Sequence, residues 1–181
     1  FMGSLKNIVV VIVNWNSGKF LGECLQNLKE QTLLPDRVFV VDNASTDGSM
    51  EGLEEKFQDW DFVFLKKNTG FASANNLAVQ KANDCEWIAF LNPDAFAQPD
   101  WLKKLMQAVE HSPGIKMFGS HMLGHDTDLL DGTGDIYHVS GVAWRRDHGR
   151  KSSEIARKPG EIFSPCAAAS LISREAFLGI G

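Results

Sequence analysis

Polar side chains follow each of the four strongly apolar runs in the first half of the chain. Each run is followed by a short segment that contains an Asn or an Asp: Asn14, Trp15 and Asn16; Asp42 and Asn43; Asn68, Thr69, Gly70 and Phe71; and Asn92, Pro93 and Asp94. If the four runs are parallel strands, their carboxyl ends share one sheet edge, where open α/β sheets bind ligands. Four such positions in register predict a polar crevice that is shaped for a polar ligand.

The segment after the first run, NWNSGK, has neither the glycine pattern of a dinucleotide-binding loop nor that of a P-loop. A phosphate ligand in this crevice would therefore need another counter-charge. A divalent cation held by Asp94 would supply it, because carboxylate oxygens suit Mg²⁺ or Mn²⁺. The alternative is a local role, in which Asp94 caps the turn before the next helix. The residues alone leave both interpretations open.

The first half of the chain alternates between strand-like and helix-like patterns, and these elements would position the side chains. The run NIVVVIVN is almost wholly β-branched and apolar, as expected for a strand that is covered on both faces. Apolar residues then recur at helical spacing and predict a helix over roughly residues 18–31. Further strands are predicted in RVFVVD, FVFLK and WIAFLN, with helices between and after them. The pattern predicts an α/β fold with a mostly parallel central sheet and helices on both faces.

After Ile115 the pattern becomes irregular, with frequent Gly, Asp and His. Short strands are predicted in IKMFGS, DIYHVSGVAW and EIFSP. The segment CAAASLISREAF is interpreted either as a helix or as a strand that leads into a helix. We expect this half to pack against the same sheet as the first half.

Composition excludes several classes of protein. The chain of 181 residues has a formal net charge of −5 and no basic block, which argues against a nucleic-acid partner. Its three cysteines show no CxxC spacing, which favours free thiols over a zinc site. No apolar run approaches the ~18 residues that a membrane-spanning helix needs. These features are typical of one globular domain.

Four motifs, VVIVNWN, VVDNASTDGS, NTGFASANN and FLNPDA, occur in this order along the chain. Together they resemble the inverting family 2 glycosyltransferases with a GT-A fold, especially the rhamnosyltransferase-like branch. The later segments DGTGDIYHVSGVAWRRDHG and FSPCAAASLISREAF fit as well, so the resemblance covers nearly the whole chain from Leu5. It implies a single GT-A domain over residues 5–181, with a nucleotide-binding half (about 5–114) and an acceptor-side half (about 115–181).

The resemblance also implies roles for residues of the nucleotide-binding half. Asp42 matches the acid that reads the nucleotide base, with Asn43 beside it, and Asn14 and Trp15 lie where family members line the base and ribose. The loop and helix start beside the nucleotide and sugar correspond to Asn68, Gly70, Phe71 and Asn75.

The metal motif of the family has two acids, and only the second is present here. Asp94 matches that last acid, which holds the metal that bridges the diphosphate, whereas Asn92 replaces the first and supplies no charge. The implied cofactor is Mg²⁺ or Mn²⁺.

The implied reaction is a metal-dependent transfer, with inversion, of a sugar from a nucleotide-diphosphate sugar to a hydroxyl group. The acceptor would be a saccharide or a lipid-linked saccharide, in cell-surface polysaccharide synthesis. Family members carry the general base in a segment that would begin beyond Gly181, so we expect a truncated chain with weak activity or none. The expected location is the cytoplasm, with peripheral association at the inner face of the membrane as an option.

Two other functions compete with this interpretation. The first is a nucleotide-sugar-binding module without transfer activity, which the expected truncation favours. The second is a sugar nucleotidyltransferase, but that class would require a glycine-rich, basic first loop, and NWNSGK is a poor match.

Overall fold

The computed structural model describes residues 7–155 and 158–180. Its centre is a six-stranded sheet in the order β3-β2-β1-β4-β10-β5. The strands are β1 (Ile8–Asn14), β2 (Arg37–Asp42), β3 (Asp61–Phe64), β4 (Trp87–Leu91), β5 (Met117–Gly119) and β10 (Ala169–Ser173). Strands β1 to β4 run parallel, and β10 is antiparallel to both β4 and β5. The carboxyl ends of β1 to β4 therefore meet at one edge of the sheet.

Helices cover both faces of this sheet. They are α1 (Phe20–Lys29), α2 (Leu53–Lys56), α3 (Phe71–Lys81), α4 (Trp101–His111) and α5 (Arg174–Ile180). Helices α1, α2 and α4 pack on one face, and α3 and α5 pack on the other. The predicted fold class, an α/β fold with a mostly parallel sheet between two layers of helices, is thus confirmed.

Two apolar cores explain why β1 has no polar face. Its residues Ile8, Val10 and Ile12 point into the core beneath α1 and α4, whereas Val9, Val11 and Val13 point into the core beneath α3. Successive side chains of a strand alternate between faces, so a strand that is covered on both sides must be apolar throughout. All seven residues of β1 are buried, as the sequence pattern predicted.

The segment CAAASLISREAF is a strand that leads directly into a helix, because β10 ends at Ser173 and α5 begins at Arg174. Strand β10 lies between β4 and β5, and it brings the end of the chain into the central sheet. Of the two interpretations that the sequence left open, the second is therefore correct.

Short hairpins build the irregular half, with one correction to the predicted strands. Strand β6 (Met122–Leu123) pairs with β7 (Leu130–Gly132), and β8 (Asp135–Tyr137) pairs with β9 (Ala143–Arg145). The segment IKMFGS contains β5, and DIYHVSGVAW contains β8 and β9. The predicted strand in EIFSP was wrong, since only a single bridge joins Ser164 to Asp135. Phe163 instead stacks on Tyr137 at the surface, and Pro165 has no N–H to offer a ladder.

No helix within residues 7–155 and 158–180 combines the length and the apolar character that crossing a bilayer requires.

Candidate functional site

A cleft of about 790 Å³ opens at the carboxyl ends of β1, β2, β3 and β4, where the sequence predicted a polar crevice. The residues that line it are Val13, Trp15, Asn16, Ser17, Gly18, Phe20, Asn43, Asp47, Asn68, Gly70, Phe71, Asn92, Pro93 and Asp94. Four loops contribute to this wall, one after each parallel strand. Seven of the ten predicted site residues therefore share one cavity.

Asn14 and Asp42, at the ends of β1 and β2, lie beneath the floor of the cleft. Asn14 is fully buried, and Asp42 is nearly so. The Asn14 Nδ2 donates to Asp42 Oδ1 over 3.0 Å and to the hydroxyls of Ser45 and Ser49 over 3.0 and 2.9 Å. A second Asp42 oxygen accepts the Ser45 amide. These two side chains fix the loop after β2. The full burial of Asn14 argues against its predicted direct contact with a ligand, whereas the contact of Asp42 with a nucleotide base stays a prediction.

Two asparagines join the loop after β2 to the loop after β3. Asn43 Nδ2 donates to Asn68 Oδ1 over 3.0 Å, and the Thr69 amide donates to Asn43 Oδ1 over 2.8 Å. Asn68 Oδ1 also accepts the Gly70 amide, which places the first turn of α3 at the cleft. Gly70 precedes α3 with φ 85° and ψ 160°, a conformation that side chains with a Cβ avoid.

The third predicted residue outside the cleft wall is Asn75, in the first turns of α3. Its side chain is buried, and its Nδ2 donates to the Phe71 carbonyl over 2.9 Å. Asn75 therefore stabilises the start of the helix that presents Phe71 to the cleft.

Two of the aromatic side chains at the cleft are at least half exposed. Trp15 on the loop after β1 is 58% exposed, and Phe71 at the start of α3 is 50% exposed. Folding usually buries such side chains, because each can remove a large apolar area from water. Two exposed rings among amide groups suit a ligand that has both a flat face and polar edges.

The loop after β4 carries Asn92, Pro93 and Asp94. The amide of Ala95 donates to the Asn92 carbonyl over 3.0 Å and closes the turn. Asp94 is exposed and makes no hydrogen bond or ion pair with any other residue that the structure describes. Helix α4 begins at Trp101 without a side-chain cap. Asp94 therefore does not cap the turn or the helix, and the local alternative to a ligand-binding role is not what the structure shows.

The donor atoms at this end of the cleft fit a hard divalent cation. Asp94 offers a free carboxylate, and Asn92 adds an amide oxygen two residues earlier on the same wall. Mg²⁺ commonly takes one or two carboxylates and completes its shell with water and substrate phosphates. Neither here nor elsewhere in residues 7–155 and 158–180 do three His, Cys, Asp or Glu side chains form a metal-binding group, so the protein would supply only part of the coordination shell.

Cys24 of α1 lies beneath the Asp94 loop and contributes no soft ligand. Its Sγ lies 3.5 Å from the Asn92 carbonyl oxygen. Burial, and secondarily the negative charge of Asp94, raises the pKa of the Cys24 thiol to about 12. The thiol is therefore neutral at physiological pH and supports the loop as an apolar group.

Sequence reasoning named Asn16 after the first strand but did not assign it to the site, and it missed five other residues that line the cleft: Val13, Ser17, Gly18, Phe20 and Asp47. A signal for Asn16 and Gly18 existed in NWNSGK, because both adopt positive φ, of 52° and 56°, which Asn and Gly tolerate best. Asp47 follows Asp42 by five residues in VVDNASTDGS, where it resembles an ordinary turn residue. Only the fold shows that it reaches the loop after β1.

Comparison with known proteins identifies the family. A sequence model described as Glycosyl transferase family 2 matches residues 9–181. The chain belongs to glycosyl transferase family 2. The match covers the cleft, the central sheet and the irregular half alike, so it rests on the whole fold and not on a single motif.

Curated relatives of this family 2 domain are similar at low identity. Glycosyltransferase GlyG of Streptococcus pneumoniae is 26% identical over 180 residues, which is 94% of this chain and 58% of GlyG. O-antigen chain rhamnosyltransferase RfbN of Salmonella typhimurium is 31% identical over 100 residues, which is 55% of this chain and 32% of RfbN. The chain thus spans about one third to three fifths of the length of these two relatives.

Solved structures confirm the GT-A fold. The mannosyltransferase PcManGT of Pyrobaculum calidifontis, in complex with GDP-Man and Mn²⁺, matches 97% of this chain and 47% of its own, with a TM-score of 0.68 and 19% identity. GalNAc-T7 with UDP, GalNAc and Mn²⁺ matches the full chain and 38% of its own, with a TM-score of 0.75 and 14% identity. Staphylococcus aureus TarS 1-349 with UDP-GlcNAc matches 66% of this chain and 35% of its own, with a TM-score of 0.57 and 26% identity.

Proposed function

We propose that this domain binds a nucleoside-diphosphate sugar in the cleft and transfers the sugar to a hydroxyl group of a saccharide acceptor. The observation that carries the proposal is the unpartnered Asp94 carboxylate, in a cleft whose wall also exposes Trp15 and Phe71. A nucleoside-diphosphate sugar offers a flat base, hydroxyl groups and an anionic diphosphate. The cleft matches these parts with aromatic rings, amide groups and a cation-binding acid.

The nucleoside is proposed to occupy the side of the cleft formed by the loops after β1, β2 and β3. Trp15 supplies a ring for stacking, and the exposed Asn68 supplies its Nδ2 for a hydrogen bond. Asn43 lines the same wall and holds Asn68 in place through its own amide. The buried pair Asn14 and Asp42 holds this wall in place from below. Because specificity for a polar ligand depends on such fixed hydrogen-bonding groups, the wall would discriminate between bases.

The diphosphate is proposed to lie between the start of α3 and the Asp94 loop. Asp94, with the amide oxygen of Asn92, would hold Mg²⁺ or Mn²⁺. When bound, the cation neutralises the negative charge that develops on the departing nucleoside diphosphate. The first turn of α3 carries no acidic residue that would repel the phosphates, and its positive dipole end opens at Gly70.

The proposed transfer is a single displacement at the anomeric carbon. The acceptor oxygen forms the new bond as the bond to the diphosphate breaks, so the configuration inverts, and a base removes the acceptor proton. The names of the curated relatives include O-antigen and teichoic acid synthesis, which supports an acceptor in cell-surface polysaccharide synthesis. A rhamnosyltransferase-like donor, a lipid-linked acceptor and a cytoplasmic location at the inner membrane face extend the same proposal.

A nucleotide panel tests the proposal. Melting temperatures would be measured with UDP, dTDP, GDP and their sugars, each with Mn²⁺, with Mg²⁺ and with a chelator. A ligand at a hundredfold excess over its Kd adds about 2.7 kcal/mol to the free energy of unfolding. In a domain of this size that raises the melting temperature by about 5–10 °C. We expect one base to give this shift, and to give it only with metal.

Release of nucleoside diphosphate from the stabilising sugar donor, with and without saccharide acceptors, separates transfer from binding. Acceptor-dependent release supports the glycosyltransferase. A metal-dependent shift without any release would favour the binding-module alternative. No shift with any nucleotide would contradict both.

A further inference from the structure

The loop after β1 (residues 15–19) and the loop after β2 (residues 43–52) are fastened together beside the cleft. The Gly18 amide donates to Asp47 Oδ2 over 2.7 Å. In the opposite direction, the Thr46 amide donates to Asn16 Oδ1 over 2.8 Å. The Asn16 amide completes the set by donating to the Ser45 hydroxyl over 3.0 Å. We call these three hydrogen bonds the loop latch.

The backbone on both sides of the latch adopts conformations that a free loop would seldom keep. Asn16 and Gly18 in the first loop have positive φ, and so do Ala44 and Gly48 in the second. Such conformations persist where surrounding contacts determine them, and they concentrate at functional sites. The latch supplies those contacts for residues 16–18, because its three bonds engage the backbone or side chains of Asn16 and Gly18.

Asp47 is the charged member of the latch, and its oxygens are already engaged by the protein. Oδ2 accepts the Gly18 amide, and Oδ1 accepts the Ser49 amide over 3.0 Å. Hydrogen bonding from the Ser49 side chain, followed by the Ser49 and Gly18 amides, lowers the pKa of Asp47. A carboxylate that stays ionised at the cleft would repel an anionic diphosphate, so a direct contact with phosphate is unfavourable.

We propose that Asp47 is a positioning residue for the donor, which it serves by holding residues 15–19 so that Trp15 faces the bound nucleoside. This inference rests on the proposed function, because it assigns Trp15 to the nucleoside side of the cleft. Asp47 acts through the loop and not through contact with the ligand. Asn16 is its partner in the same role.

A double-mutant cycle tests the proposal. Dissociation constants would be measured by calorimetry with Mn²⁺ and whichever of UDP, dTDP and GDP binds the wild-type domain. The variants are Asp47→Ala, Trp15→Ala and the double variant, with Asn16→Ala as a second break of the latch. We expect Asp47→Ala to weaken binding about tenfold in the wild-type background, the scale of a lost base–aromatic stack, and less than about threefold when Trp15 is already absent.

A second readout needs no ligand. Hydrogen exchange of the backbone amides in residues 15–19 should accelerate in Asp47→Ala and in Asn16→Ala, whereas exchange in α4 should stay at the wild-type rate. Asp47→Asn retains one side-chain oxygen and should restore part of the protection. If Asp47→Ala folds poorly, Asn16→Ala still tests the latch by this readout, because it removes the hydrogen bond from Thr46 and leaves Asp47 unchanged.

The outcomes separate this inference from the proposed function. If no nucleotide binds the wild-type domain, the proposed function fails, and the role of Asp47 toward the donor fails with it. If a nucleotide binds and Asp47→Ala leaves its affinity unchanged, the positioning role alone is overturned. Equal effects of Asp47→Ala with and without Trp15 would also overturn it, since the residue would then act on the ligand independently of that side chain.

Discussion

At the scale of single residues, exposure and pairing distinguish the side chains of the cleft. Asn14 and Asp42 are buried and form hydrogen bonds with neighbouring groups of the protein, whereas Trp15 and Asp94 are exposed to solvent. Buried, hydrogen-bonded side chains contribute to the stability of the folded domain, whereas exposed side chains contribute little. Exposed cleft residues should therefore tolerate substitution with loss of binding alone.

Trp15→Ala is expected to weaken nucleotide binding by about tenfold, since stacking of a base on an aromatic ring contributes about 1–3 kcal/mol. The free energy of unfolding should change by less than about 0.5 kcal/mol, because the ring is largely exposed. Calorimetry and urea unfolding measure the two quantities. Leu34→Ala is the control, since Leu34 is 61% exposed and lies outside the cleft. Equal nucleotide affinity in wild type and Trp15→Ala would contradict the assignment.

Cys24 gives a dependence of stability on pH. Burial, with the nearby charge of Asp94, raises the pKa of its thiol in the folded state to about 12. A thiol in the unfolded chain titrates near pH 8.5. The folded state therefore binds the thiol proton of Cys24 more tightly than the unfolded state does. The resulting contribution to the free energy of unfolding is fully present below pH 8.5 and is lost as the pH rises toward 12.

The free energy of unfolding should fall by up to about 1.4 kcal/mol per pH unit between pH 9 and 12 from this group alone. Urea unfolding at pH 8, 9 and 10 measures it, with Cys24→Ala as the reference in which this component is missing. The stability difference between wild type and variant should narrow as pH rises. A difference that stays constant from pH 8 to 10 would show that the thiol does not titrate abnormally.

At the scale of elements, hydrogen bonds connect the first three loops, whereas an aromatic contact joins the fourth: the ring centroid of Phe96, in the loop after β4, lies 6.1 Å from that of Phe20. The loop latch joins the loops after β1 and β2, and Asn43 with Asn68 joins the loops after β2 and β3. The loop after β4 is attached through the Asn92 backbone, whose amide donates to the Ala168 carbonyl over 2.8 Å. Side-chain hydrogen bonds therefore join the first three loops, whereas the loop after β4 is held by the Asn92 backbone, by the Cys24 thiol and by the contact of Phe96 with Phe20.

Gly70→Ala is expected to lower the free energy of unfolding by about 1–3 kcal/mol, the cost of holding a residue with a Cβ in a backbone region that only glycine occupies freely. Nothing lies within 4 Å of the added Cβ, so the cost is conformational and not steric contact with neighbours. Urea unfolding measures the change. Gly160→Ala is the control, because its Cβ would also meet nothing and its φ is not in the positive region. Similar stabilities for the two variants would refute the strain at the start of α3.

The sequence predicted the elements of the first half well because their signals are local. Apolar runs end where β1, β2 and β4 end, and the helical spacing over Phe20 to Leu28 falls within α1. The antiparallel insertion of β10 between β4 and β5 was beyond such reasoning, since small residues in CAAASLIS suit a strand and a helix equally. The latch depended on the approach of two loops that are about thirty residues apart, which no local pattern encodes.

At the scale of the whole molecule, β10 joins the two halves of the chain. Leu171 of β10 is fully buried in the same core as Leu25 of α1, although the two are far apart in sequence. The irregular half thus shares the apolar core of the first half of the chain. This arrangement supports the prediction that residues 5–181 fold as one domain.

Leu25→Ala and Leu171→Ala should each lower the free energy of unfolding by about 2–5 kcal/mol, the usual cost of a large cavity in a core. If the chain is one cooperative domain, both variants should show a single unfolding transition at a reduced midpoint. Circular dichroism and tryptophan fluorescence, followed together in urea, measure it. Two transitions, only one of which responds to Leu171→Ala, would show that the halves unfold separately.

We propose that Asp94 holds the cation that binds a nucleoside diphosphate in this cleft. Calorimetry with the stabilising nucleoside diphosphate, with Mn²⁺ and with chelator, on wild type, Asp94→Asn and Asp59→Asn, tests it most directly. Asp59→Asn is the control: it removes one negative charge, as Asp94→Asn does, but Asp59 is exposed and lies outside the cleft. Asp94→Asn should bind at least about tenfold more weakly than wild type in Mn²⁺ and should respond little to chelator, because a metal ligand is lost. Asp59→Asn should match wild type, and full Mn²⁺-dependent affinity in Asp94→Asn would contradict the account.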